Sequence, residues 1–168
     1  MIRADQFVEK YYPYAERMEK DFGVPALVAM AQSALETGWG KHAPGNMMFG
    51  MKTGKSWKGE KQLLTTTEYH STDKVKYPEI LSITKVSGRR FKYRVKDWFR
   101  KYKSPYDSFV DYARLLKSRS RYAKAFDYTD DPYRFAQEIA RAGYATAPDY
   151  YSRIRNIMYT IKKKASLE

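Results

Sequence analysis

Glu36 is the residue of this chain best placed for proton chemistry. It lies in Ala31-Gln32-Ser33-Ala34-Leu35-Glu36-Thr37-Gly38-Trp39-Gly40, just after an apolar run from Val24 to Leu35 that only Gln32 and Ser33 interrupt. A helix apolar nearly all round belongs in a core. A carboxyl at its C-terminal end meets two effects that raise its pKa, an apolar setting and the negative end of the helix dipole. A carboxylic acid held protonated near neutral pH can serve as a general acid. Composition alone leaves the alternative of a solvated helix end. Other chemistries have fewer candidates. The chain has no cysteine, so disulfides and thiol catalysis are excluded, and its two histidines, His42 and His70, show no metal-ligand spacing.

The elements around Glu36 follow from periodicity and capping. Asp5 to Phe22 is predicted to be an amphipathic helix through Phe7, Val8, Tyr11, Tyr14, Ala15, Met18 and Phe22, with Asp5 as N-cap and Pro13 arguing for a kink or a delayed start. Pro25 suits the first turn of the next helix, and Gly38 and Gly40 suit its stop. Lys41 to Lys58 is rich in Gly, Pro and Asn. It contains Gly45-Asn46-Met47-Met48-Phe49-Gly50-Met51-Lys52, either a loop beside a cleft or one with its apolar residues tucked into the core.

A β region comes next. Gln62 to His70 carries a threonine run and includes Glu68. Ile80 to Val86 and Arg89 to Trp98 are predicted to pair around Ser87-Gly88. In the last strand Phe91, Tyr93 and Val95 take one face and Arg90, Lys92, Arg94 and Lys96 the other. That cationic row suits an anionic polymer, or a charged edge strand that resists aggregation. Three helices follow: one over Ser104 to Lys117, one from Asp131-Pro132 to Gly143, and one from about Pro148 to Lys164, with a short helical or turn segment at Tyr122 to Phe126. The expected fold class is α+β, mainly α, as a single domain over 1–168 with an enlarged β region at about 60–98.

The net charge of +13 implies an anionic partner: nucleic acid, acidic lipid or bacterial wall. A hydrophobic content of 43% argues against disorder, and no apolar stretch approaches the roughly 20 residues of a membrane span. Met1 to Gln6 shows no signal-peptide pattern, which leaves the export route open.

Four collinear stretches carry a resemblance. Ala31 to Gly40 resembles the A-Q-x-x-L-E-[ST]-G-W-G segment of the glucosaminidases of glycoside hydrolase family 73. Asn46 to Lys52 resembles their N-N-x-F-G-[IM]-K loop. Phe99-Arg100-Lys101-Tyr102 through Ser104, Ser108, Phe109, Tyr112 and Leu116 looks like F-R-x-Y-x-S…S-[FI]-x-x-Y-x-x-L, and Tyr144 to Tyr150 like Y-A-T-D-P-x-Y. The resemblance implies a lysozyme-like α lobe, with a β-hairpin insertion forming one side of a cleft. It implies hydrolysis of the β-1,4 bond after N-acetylglucosamine in peptidoglycan, at the cell wall. Glu36 is then the general acid. Glu68, in Thr66-Thr67-Glu68-Tyr69, matches the second carboxylate of a T-x-E-aromatic stretch, ahead of Glu60, Asp73 and Glu79. Tyr144 matches a tyrosine near the reacting sugar. Trp39, Asn46, Phe49, Gly50, Tyr69 and Tyr150 are the implied substrate-binding residues. No cofactor, metal or nucleic acid is implied, and a monomer is expected. The alternatives are a muramidase or lytic transglycosylase on the same fold, or a non-catalytic wall-binding module. The sequence departs from the pattern at Met47, at Ala147 and in the long stretch between Glu68 and Phe99.

Overall fold

The computed structural model describes residues 4–165. Five helices and a three-stranded antiparallel sheet succeed one another as α1 (Ala4–Phe22), α2 (Ala26–Thr37), β1 (Lys61–His70), β2 (Glu79–Ser87), β3 (Arg90–Arg100), α3 (Pro105–Ser118), α4 (Pro132–Arg141) and α5 (Tyr150–Lys164). Short 3-10 turns occupy Pro44–Asn46 and Ser120–Tyr128. The fold is α+β and mainly α, as expected. The chain forms two compact units. One holds the residues up to Phe49 and those from Tyr102 onward, and the other runs from Gly50 to Lys101.

In the helical unit α2 is the core element. Val28, Ala29, Met30, Ala31 and Ala34 are fully buried, and α1, α4 and α5 all pack on it. Its C-terminus is closed by Gly38 in the left-handed region, whose N–H donates to the Ala34 carbonyl. Trp39 is also left-handed, with φ 59°, a conformation uncommon outside glycine. Its ring meets Phe7 edge-on at 5.7 Å.

Several boundaries differ from expectation. α1 begins at Ala4, so Asp5 lies inside the first turn, where its charge complements the dipole, and is not the N-cap. Pro13 sits within the unbroken helix on its exposed side, where water can satisfy the carbonyl that the proline leaves unpaired. α3 keeps its Ser104 cap, whose hydroxyl accepts from the Asp107 N–H. Asp131 caps α4 in the same way. α5 starts at Tyr150, two residues later than expected, because the Tyr150 N–H first closes a turn onto the Ala147 carbonyl.

In the sheet unit the strand order is β1-β3-β2. The cationic strand is therefore central, and the edge reading of its charges is corrected: both of its sides are hydrogen-bonded. The β2–β3 turn is Gly88-Arg89, one residue beyond Ser87-Gly88, since Ser87 pairs with Arg90. Gly88 thereby takes the first central position with φ 54°, where the turn asks for glycine. The alternation along β3 holds, with Tyr93 and Val95 buried and Arg90, Lys92 and Arg94 exposed. The two ends of this unit are bound together. Lys52 bridges to Phe99, Thr53 N–H donates to Trp98, and Arg100 N–H donates to Met51.

Candidate active site

Gln32 and Glu36 lie four residues apart on α2 and so share a face. Gln32 is 3% exposed. Its amide makes two hydrogen bonds of opposite sense. The Tyr112 hydroxyl of α3 donates to Oε1, and Nε2 donates to the Tyr150 hydroxyl at 2.8 Å. Tyr144 lies stacked against Tyr150 with centroids 5.9 Å apart, and meets Tyr112 edge-on at 6.4 Å and Tyr122 at 6.2 Å. The chain reaches this position because Gly143, with φ 85°, ends α4 and donates to the Ala140 carbonyl. Ala147, where the family motif has aspartate, still holds the turn through its backbone carbonyl.

Electrostatics single out the same face. Burial raises the Glu36 pKa above the ordinary carboxylate range. The residue keeps an exposed outer surface, so the rise reflects protein crowding around the carboxyl rather than full enclosure. Among the described residues no hydrogen-bond donor or cation pairs with it. Desolvation pushes the Tyr150 phenol up to about 12; the Gln32 bond lowers it somewhat, and the Glu36 charge raises it again. Tyr144 is held well above its ordinary value by desolvation, then by the charges of Tyr150 and Glu36. Tyr144 and Tyr150 are thus neutral hydroxyls beside a carboxyl biased towards its acid form.

The Gly45 to Phe49 loop supports this cluster from below. Met47, Met48 and Phe49 are buried, tucked into the core. Phe49 stacks on Tyr112 at 4.0 Å with the rings 7° apart, and meets Phe109 edge-on. Its ring is spent on Tyr112. Asn46, left-handed at φ 58°, donates to the Tyr102 carbonyl at 3.1 Å. Trp39 makes its ring contact with Phe7.

In the sheet unit Glu68 stands on β1 opposite Tyr93. Its carboxylate accepts from Lys52 Nζ at 2.7 Å, and the same ammonium reaches Asp97 at 3.1 Å. Burial pulls the Lys52 pKa down, but its bonds to Glu68 and Asp97 outweigh this, and the net shift is upward. Tyr77 lies under Lys52, with its ring centre 5.6 Å away, and its hydroxyl shares a 2.6 Å hydrogen bond with His70. Tyr69 neighbours Glu68 in sequence and so points to the opposite face of the sheet. There it is 48% exposed beneath Arg90. Glu79 is tied to Lys96 at 3.5 Å. Gly50 opens this unit with φ 61°.

Gln32, Tyr112, Lys52 and Asp97 were not singled out from sequence. Two had a signal. Gln32 is a polar residue inside an apolar helix, one turn before Glu36. Asp97 falls at an inward position in the alternation of β3. Among the described residues no group of three or more His, Asp or Glu is placed to hold a metal, and no helix is long and apolar enough to cross a membrane.

A family model described as mannosyl-glycoprotein endo-beta-N-acetylglucosaminidase matches residues 12–163. The peptidoglycan hydrolase FlgJ of Pseudomonas aeruginosa is 37% identical over 161 residues, 92% of this chain and 36% of that protein. The chain spans 36% to 47% of the length of the curated relatives it matches first. A crystal structure of a peptidoglycan hydrolase mutant from Sphingomonas sp. A1 superposes with a TM-score of 0.74 at 30% identity, over 98% of this chain and 99% of that one. A truncated glycoside hydrolase domain of Salmonella typhimurium FlgJ gives 0.72 at 28%, over 96% and 99%.

Proposed function

Given that the chain belongs to the glucosaminidase family, we propose that it hydrolyses the β-1,4 bond after N-acetylglucosamine in peptidoglycan, and so acts at the bacterial wall. The observation that carries this is Glu36: an unpaired carboxyl on a buried helix, its pKa raised by desolvation, next to neutral tyrosines. Departure of an alcohol from a sugar carbon needs a proton on the glycosidic oxygen, and an acid biased towards its protonated form supplies it. Glu68 is the second carboxylate, acting on the electron-poor sugar or on the attacking water. Lys52 and Asp97 hold it in one orientation. Tyr144 offers a neutral hydroxyl to the sugar at any pH the enzyme meets, since its proton is held far above neutral pH. Trp39, Asn46, Phe49, Gly50, Tyr69 and Tyr150 are the substrate-binding residues of this reading, and Tyr150 also anchors the cluster through its bond from Gln32.

Digestion of purified peptidoglycan, followed by borohydride reduction and mass spectrometry, tests the reading. Reduced N-acetylglucosamine ends are expected. Reduced muramic acid or 1,6-anhydro ends would replace the bond specificity, and no release at all would favour a wall-binding module. Glu36→Gln is expected to slow release about 10²–10⁴-fold while leaving the circular dichroism spectrum unchanged.

A further inference from the structure

The sheet unit holds fourteen Lys and Arg against five Asp and Glu, so most of the chain's excess positive charge lies in fewer than a third of its residues. Three of those acids are already engaged. Glu68 and Asp97 bind Lys52 on one face of the sheet, and Glu79 binds Lys96. On the face opposite Glu68, Arg90, Lys92 and Arg94 follow one another along the central strand, and all three are exposed. Among the described residues none of them pairs with a carboxylate. Arg90 lies over the Tyr69 ring at 4.8 Å, and Arg94 donates to the Thr67 hydroxyl at 3.0 Å. Their register partners are Tyr69 and Thr67 on β1 and Ser87, Thr84 and Ser82 on β2, mostly short hydroxyl side chains that leave the cations standing clear. Alternate residues of a strand repeat at roughly 7 Å, so the row spans about 13 Å.

We propose that this face of the sheet is a second wall-binding surface, separate from the Glu68 face, that takes the free carboxylates of peptidoglycan stem peptides. This rests on the peptidoglycan reading above. The glycan backbone is an alternation of amino sugars whose N-acetyl groups are neutral, so the charge of the polymer sits on its peptides. A row of unpaired cations spaced along a rigid strand, with an exposed aromatic ring at its edge, matches carboxylates repeated along such a polymer. Its role is to hold the enzyme on the mesh while the acid on α2 works on the sugar chain.

The test is co-sedimentation of the full chain with purified sacculi at low and high salt, comparing wild type with a Lys92→Gln/Arg94→Gln double variant. Both positions are exposed, so folding is expected to survive, and circular dichroism checks it. About tenfold weaker binding at low salt is expected, with a shallower salt dependence. Sacculi whose carboxylates have been amidated with a carbodiimide should bind wild type as weakly as untreated sacculi bind the variant. Release from peptide-free glycan strands whose exposed lactyl carboxylates have been amidated should be equal for the two proteins. Equal binding of wild type and variant to untreated sacculi would overturn the proposal. Charge-dependent binding that persists on peptide-free glycans whose exposed lactyl carboxylates have been amidated would do the same. So would binding that is lost only when phosphate-bearing wall polymers are stripped, or a variant defect seen with DNA and not with sacculi. If wild type fails to cleave any glycan, the catalytic reading fails, while the sedimentation comparison still decides this one.

Discussion

Replacing Gln32 with leucine isolates what one buried amide contributes. The substitution keeps approximate volume and removes both the acceptor for Tyr112 and the donor to Tyr150. The Tyr112 ring is fully buried, so its hydroxyl cannot turn to water. Leaving such a group unpaired costs about 1–3 kcal/mol, and losing the half-buried bond to Tyr150 costs roughly 0.5–1.5 kcal/mol more. The sum, about 1.5–4.5 kcal/mol, corresponds to a fall in Tm on the order of 10 °C for a chain of this length. Tyr112→Phe alone strands the Gln32 oxygen and should cost about 1–3 kcal/mol. The double variant removes both members of the pair, so its loss should fall short of the summed single losses by about 1–3 kcal/mol. Urea denaturation of the four proteins measures this. Additivity within about 0.5 kcal/mol would refute the view that Gln32 holds Tyr112 through a desolvated hydrogen bond.

Three other outcomes follow from the geometry. Because the folded pKa of Glu36 is raised, its neutral form is the stabilising one. That stability is fully present below the unfolded value and is lost as pH rises through the folded value, so Glu36→Gln should gain stability over wild type at neutral pH and show little difference at acid pH. The same ionisation should form the alkaline limb of the wall-lysis profile, above the ordinary carboxylate range, and the variant should lose about 10²–10⁴-fold in rate. Lys52→Met leaves Glu68 and Asp97 without their shared cation. With side chains 28% and 20% exposed, the cost should be near 1 kcal/mol at low ionic strength and shrink in high salt, as read from urea midpoints; an unchanged midpoint at both salts would remove Lys52 from its positioning role. Gly40→Ala places a Cβ 3.2 Å from the Phe7 ring at φ 83°, whereas Gly54→Ala meets nothing at φ 59°. Both pay backbone strain of about 1 kcal/mol, so Gly40→Ala should be the costlier by the packing overlap alone.

What could be read in the sequence was what local patterns determine. The all-round apolar run announced α2 as a core helix, Ser104 and Asp131 announced two caps, and the alternation along β3 announced its two faces. Strand order was not legible, because nothing local to Arg90–Trp98 says whether a third strand joins its far side; β1 arrives from more than twenty residues away. Helix starts moved where a turn competed, as at Tyr150. The site was half legible. Glu36, Glu68 and Tyr144 stand in recognisable motifs, but the bonds from Gln32 to Tyr112 and Tyr150 cross separations of 80 and 118 residues. Tyr69 illustrates the limit of reading by adjacency. It follows Glu68 in the chain, yet the pleat of the strand sends it to the other face.

The hydrogen bonds that join Met51 to Arg100 and Thr53 to Trp98 have a further consequence. They make the sheet unit a stem whose two strands leave and return side by side. A stem closed at its base can be lengthened, shortened or recoloured at its tip without changing the spacing of the ends it hands back to the chain. Changes of length at the Gly88-Arg89 turn therefore leave those ends in place, provided the Lys52, Glu68 and Asp97 cluster is kept, and the same turn offers a graft point for hairpins carrying other surface chemistries.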